Sequence, residues 1–130
     1  MNSVVRIPRS VLPIAAAGLL VAGCAVPGGP EVAVVEITST GFSPATLVVE
    51  PGTEVRWTNS DPQAHTVTSG GDLLPGQQPV PDGAEEFDSG RLVEGETFAH
   101  VFEVAGDHYY WCEYHGAGEQ MVGTIRVEQP

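Results

Sequence analysis

From Glu31 onward, apolar and polar positions alternate with a period of two, interrupted every few residues by glycine or proline. Val32-Ala33-Val34-Val35-Glu36-Ile37 is rich in β-branched residues and predicts a strand, broken by Gly41 and Pro44. Thr46 to Glu50 predicts a second, stopped by Pro51-Gly52. Glu54-Val55-Arg56-Trp57-Thr58 places Val55 and Trp57 on one face, and Ala64 to Thr68 predicts a fourth strand. Ser69 to Gly90 lacks periodicity, is rich in glycine and proline, and carries Asp82, Glu85, Glu86 and Asp88, so it reads as a surface excursion. Alternation then returns. Phe98, His100 and Phe102 alternate with Ala99, Val101 and Glu103, Gly106-Asp107 is expected to turn the chain, and His108 to Cys112 and Val122 to Glu128 predict the last strands. No helical period occurs beyond the N-terminal segment. Short strands separated by turn signals predict an all-β fold, a Greek-key β-sandwich of about seven to eight strands.

The first thirty residues follow another pattern. Arg6 and Arg9 precede an apolar stretch from Val11 to Ala22 that is too short to span a bilayer and suits the core of a secretory leader. Val21-Ala22-Gly23-Cys24 follows at once and resembles a bacterial lipobox, at which the cysteine is acylated and becomes the new N-terminus. The expected organisation is a lipoprotein signal peptide over residues 1–23, a lipidated Pro/Gly tether over 24–30 and the folded domain over 31–130. Lipidation at Cys24 implies export and anchoring to the outer face of the cell membrane or cell envelope, because two or more acyl chains hold a protein there stably.

Charge narrows the choice of partner. Beyond Cys24, 17 carboxylates face only Arg56, Arg91 and Arg126, a net of −14, and the chain has no lysine. Such a polyanion is not expected to bind nucleic acid or an anionic lipid surface by charge. Its 130 residues accommodate one domain, and it is expected to be a monomer. Of the 2 cysteines, lipidation of Cys24 would leave Cys112 alone in an oxidising compartment, and an unpaired exported thiol suits a metal ligand.

His65, Cys112, His115 and Met121 supply that site. One thiolate, two imidazoles and a thioether form a soft donor set that favours copper over magnesium, calcium or manganese, and a trigonal His₂Cys set with a weak axial Met is the blue-copper arrangement. Cys112 ends one predicted strand, His115 lies in the following loop and Met121 opens the last strand, so one loop can offer three ligands. His65 arrives from a distant strand. Taken singly, these residues would be a strand histidine, a buried thiol and a core methionine; their joint spacing favours the metal. His100 and His108 stand in no ligand spacing and are expected at the surface or half-buried in strands.

Phe42-Ser43-Pro44, Leu47-Val48-Val49, Gly52 and Val55-Arg56-Trp57-Thr58-Asn59, then His65-Thr66-Val67, together resemble the first half of the cupredoxins, in particular plastocyanin-like and halocyanin-like carriers. Gly95-Glu96-Thr97-Phe98, Phe102, Gly106, Tyr110-Trp111-Cys112-Glu113-Tyr114-His115 and Met121-Val122-Gly123-Thr124-Ile125 are similar to the second half. The chain departs in one respect, with five residues, Gly116 to Gln120, between the second histidine and the methionine where the family usually has four. At the usual spacing the axial position is Gln120, which could also serve; Met121 is preferred because Val-Gly-Thr-Ile follows it. The resemblance implies one copper ion cycling between Cu(I) and Cu(II), His115 near the surface in an apolar patch, and Asn59 organising the loop around His65. It implies a one-electron carrier, not an enzyme, working between membrane-associated redox partners such as a cytochrome or a membrane oxidoreductase. Copper storage or delivery is the alternative. Copper enzymes of this fold need further sites, typically His-x-His pairs, and none occurs here.

Overall fold

The computed structural model describes residues 4–7, 31–70, 76–115 and 121–130. Among them are eight strands and no helix: β1 Val4–Arg6, β2 Val32–Thr38, β3 Gly41–Ser43, β4 Thr46–Val49, β5 Thr53–Asn59, β6 Thr97–Phe102, β7 Gly106–Trp111 and β8 Val122–Val127. They form two four-stranded sheets, ordered β1-β4-β8-β7 and β3-β2-β5-β6. The pairings β2·β5, β4·β8 and β1·β4 are parallel, and β2·β3, β5·β6 and β7·β8 are antiparallel. The expected all-β sandwich is the fold found.

The two-residue period dictates which faces meet. In β2 the inward set is Ala33, Val35 and Ile37; in β5 it is Thr53, Val55, Trp57 and Asn59; in β8, Gly123, Ile125 and Val127. Trp57 is fully buried, and its ring centroid lies 5.3 Å from that of Tyr110, 5.7 Å from Phe98, 5.9 Å from Phe87 and 6.1 Å from Phe102. Burying each large aromatic removes roughly 4–6 kcal/mol of unfavourable hydration, an upper bound set by the extended-chain reference. This cluster ties β5 and β6 of one sheet to β7 of the other. Tyr110 is paired with Gly123 across β7·β8, and a Cβ at Gly123 would overlap the Tyr110 ring and hydroxyl. Glycine is therefore required there by space.

Several local expectations are corrected. Ala64 to Thr68 is not a strand: His65 bridges to Leu92, whereas Thr68 bridges to both Asp88 and Trp111. Its backbone groups are shared between two partners, so no continuous ladder forms. Gly41–Ser43 pairs with the end of β2 instead of merely breaking it, and Gly106-Asp107 opens β7 instead of turning the chain. The stretch 69–90 is more than a surface excursion, since Val80 and Phe87 enter the core and Pro79 O accepts a hydrogen bond from Tyr109 N at 2.7 Å. His108 is 2% exposed, fully inside. Local pattern could not show this, because the only compensation is one bond to a backbone carbonyl, Nε2 to Val104 O at 2.8 Å, while Nδ1 is buried without a hydrogen-bond partner among the described residues.

Of the residues expected to form a leader, Arg6 lies in the exposed edge strand β1, and its guanidinium pairs with Glu128 at 2.9 Å. The lipobox and Cys24 lie outside the described residues.

Candidate metal centre

The site begins at the end of β7. Cys112 directly follows Trp111, and its backbone N donates to Met121 O at 3.1 Å, which sets Met121 directly against Cys112. His115 N donates to Cys112 O at 3.3 Å, closing a turn that folds the imidazole back over the thiol. His115 Nδ1 lies 3.3 Å from Cys112 Sγ. From across the sandwich His65 brings its Nδ1 to 3.7 Å from the same sulfur. The two imidazoles are 4.7 Å apart between centroids, and one donor atom from each of the three residues falls within 4.8 Å of the others. Among the described residues this is the one such cluster of three.

The donors fit a metal ion. Metal–thiolate and metal–imidazole bonds of about 2.3 and 2.0 Å, arranged trigonally, separate their donor atoms by roughly 3.5–3.8 Å. The observed sulfur–nitrogen distances need only small adjustments to meet that. Cys112 is a free, buried thiol, and Met121 is buried beside it. Gln120, the other axial candidate, lies outside the described residues.

His65 and Cys112 are held by further contacts. His65 exchanges two backbone hydrogen bonds with Leu92, at 3.0 and 2.8 Å. Its Nε2 contacts Asp61 Oδ2 at 2.6 Å in a buried pair. Asn59, wholly buried at the end of β5, donates from Nδ2 to Gln63 O at 2.9 Å and Leu92 O at 3.0 Å, and its Oδ1 accepts from Asp61 N at 2.9 Å. The expected role of Asn59 in organising the loop around His65 is thus seen directly. The Cys112 sulfur accepts from Thr66 N at 3.4 Å, and Thr66 Oγ1 accepts from Glu113 N at 2.9 Å, tying the His65 segment to the Cys112 segment. A hydrogen bond to the ligand atom or its far side fixes orientation and tunes a metal centre. Asp61 and Thr66 were not singled out from sequence. The available signal for Asp61 was a carboxylate four residues before the histidine in the turn-forming run Asn59-Ser60-Asp61-Pro62.

His100 and His108 stand apart from this centre. His108 lies four residues back along β7, on the order of 13 Å from the thiol end. Both rings pack edge-on against Phe102, at 4.8 and 4.9 Å. Burial lowers the pKa of each. At His100 Glu85 partly offsets this, and at His108 the Val104 carbonyl does so.

Residues 31–128 match the model of the copper binding proteins of the plastocyanin/azurin family. The chain belongs to that family. It is 33% identical over 118 residues to the chloroplastic plastocyanin of Tetradesmus obliquus, covering 87% of this chain and 79% of the relative. The purple cupredoxin from Nitrosopumilus maritimus is similar in structure, with a TM-score of 0.57, 28% identity, and coverage of 74% of this chain and 99% of that one. A copper-containing nitrite reductase from Thermus scotoductus aligns with a TM-score of 0.68 and 26% identity over 98% of this chain, but only 28% of the enzyme. Amicyanin variants share the fold at 23% identity and a TM-score of 0.60. The cofactor of this cupredoxin is one copper ion, and His65, Cys112 and His115 with Met121 form a site consistent with a type 1 centre.

Proposed function

We propose that the protein carries single electrons between redox proteins, such as a cytochrome and a membrane oxidoreductase, at the outer face of a cell membrane. The observation that carries this reading is the convergence of Cys112, His65 and His115 on one point, held by a sandwich whose strands and backbone hydrogen bonds already fix two of the three donors. Copper bound there supplies one-electron exchange between Cu(I) and Cu(II). The chain's contribution is to keep the donors in place in both states. Leu92 and Asp61 hold His65, and Thr66 N–H points at the thiol sulfur. His115 is half-buried, next to the exposed Tyr114, so its ring is the member of the set closest to solvent and the natural point of electron entry and exit. Met121, buried and bonded through its carbonyl to Cys112 N, is assigned as the weak axial ligand in preference to Gln120.

Membrane attachment is assigned to Cys24 on the strength of its lipobox. Loss of residues 1–23 would remove β1, whose three residues are exposed, and leave β4 as the edge of its sheet, so the core would survive processing. An enzymatic role is not assigned. The aligned nitrite reductase is several times longer than this chain.

The test is protein-film voltammetry combined with chelator challenge. A reversible one-electron wave, with copper retained for hours against a Cu(I) chelator, is expected of an electron carrier. Rapid loss of copper to the chelator would instead assign storage or delivery. Cys24→Ser should release the protein from membranes, and continued retention would remove the anchor assignment.

A further inference from the structure

Asp61 is unusual among the groups around the site, because it places a carboxylate where a neutral acceptor would suffice to hold a histidine. Its Oδ2 meets His65 Nε2 at 2.6 Å, and the side chains of His65 and Asp61 are 2% and 9% exposed. Asp61 is itself fixed, since its backbone N donates to Asn59 Oδ1 at 2.9 Å and Asn59 is anchored in turn to Gln63 and Leu92. The backbone of His65 is held by Leu92 on both sides. With main chain and far nitrogen both restrained, Nδ1 is left as the one ring nitrogen facing Cys112.

Two consequences follow. An acceptor on Nε2 requires the proton to sit on that nitrogen and leaves the lone pair on Nδ1, which is the form that can donate to a metal. A fixed negative charge one imidazole away from the site also acts differently on the two oxidation states. Together with the Cys112 thiolate it balances a divalent ion, and it leaves an excess negative charge beside a monovalent one. In a buried, weakly screened setting that difference favours the oxidised state.

We propose that Asp61 is a positioning residue that locks His65 with Nδ1 toward the copper site and, through its charge, lowers the reduction potential of the centre. The second half rests on the electron-carrier reading; the first does not require copper at all.

The experiment uses the full chain with Asp61→Asn and Asp61→Ala. In the metal-free protein, long-range ¹H–¹⁵N spectra at a fixed pH of about 8, above the ordinary histidine range, report which His65 nitrogen bears hydrogen. The parent should show protonated Nε2 and a bare Nδ1, and Asp61→Ala should show a mixture. In the copper-loaded protein, Asp61→Asn, which keeps the shape and an acceptor oxygen, should retain the blue spectrum while its reduction potential rises. A tenfold loss in preference for Cu(II) over Cu(I) corresponds to about 59 mV. Asp61→Ala should in addition lose Cu(II) about 10–100-fold more readily. An Asp61→Asn protein with the parent's potential overturns the charge argument, and a parent with hydrogen on Nδ1 overturns the positioning argument. If the parent itself forms no blue centre, the electron-carrier reading fails while the nitrogen assignment still decides the role of Asp61 on its own.

Discussion

Replacing Asn59 by alanine tests whether the loop around His65 is held by one side chain. The amide makes three hydrogen bonds, a part-buried one to Gln63 O at 2.9 Å and buried ones to Leu92 O and Asp61 N at 3.0 and 2.9 Å. Leu92 O retains the His65 N–H, so losing the Asn59 donor leaves it still bonded. The Gln63 carbonyl and the Asp61 N–H lose the partner seen here. At about 0.5–1.5 kcal/mol net for each bond, and more where a buried group is orphaned, Asn59→Ala should cost about 2–4 kcal/mol. With m near about 1.5 kcal/mol/M, the urea midpoint of the metal-free protein should fall by about 1–3 M. Measuring the metal-free form separates folding from metal binding, which would otherwise add to apparent stability by mass action. Because the same contacts set the position of Asp61 and His65, copper should also leave the variant faster than the parent. Asn59→Asp retains an acceptor for Asp61 N but loses both donors and buries a second carboxylate beside the first, so it should be at least as damaging. A midpoint within about 0.5 M of the parent, with unchanged copper retention, would refute the idea that this amide organises the loop.

Gly123→Ala should lower stability by about 1–3 kcal/mol, read as a thermal midpoint at least about 4–8 °C lower, because the added methyl overlaps the buried Tyr110 ring; an unchanged midpoint would mean that the ring has room to move. Stability should also fall with acid. Burial holds the pKa values of His100 and His108 below their ordinary 6.5, so the unfolded chain binds protons that the folded chain does not. The stabilisation is complete above about 6.5 and is lost as pH falls from there toward the lowered folded values, so denaturant midpoints of the metal-free protein should drop between about pH 7.5 and 5.5. His108→Phe should flatten that profile, and an equally steep profile in the variant would assign the effect elsewhere. At lower pH a second loss is expected from Asp107, whose pKa is held below the usual value chiefly by its hydrogen bonds to Arg126, and Arg126→Met should remove that component.

Most of the architecture was legible because it is written in a two-residue period. The alternation in β2 is imperfect, since Val34 and Val35 are adjacent and equally apolar. Even so, Val35, Ile37, Val55, Trp57, Ile125 and Val127 all fall inside as their spacing requires, while Val34 faces out. The donor set was legible for a different reason, namely that Cys112 and His115 share one turn and their proximity is local. His65 could be placed with them only because a sandwich brings distant segments to one end. Features set by non-local compensation were not legible. The burial of His108 depends on a carbonyl four residues away and on the aromatic face of Phe102 from another strand. The entry of Val80 and Phe87 into the core depends on how 69–90 folds back, with Ser69 and Phe87 bonded to each other. Ala64 to Thr68 has strand composition, but its partners diverge, and composition carries no information about partners.

The most direct measurement is a titration of the purified, reduced-thiol protein with Cu(II), followed by visible absorption and EPR. One equivalent should produce an intense blue band and a narrow copper hyperfine splitting, both absent in Cys112→Ser even though that variant keeps the β-sandwich circular dichroism of the parent. A colourless, weakly held ion, or a blue centre that survives the loss of Cys112, would contradict the assignment of His65, Cys112 and His115 to a single copper site.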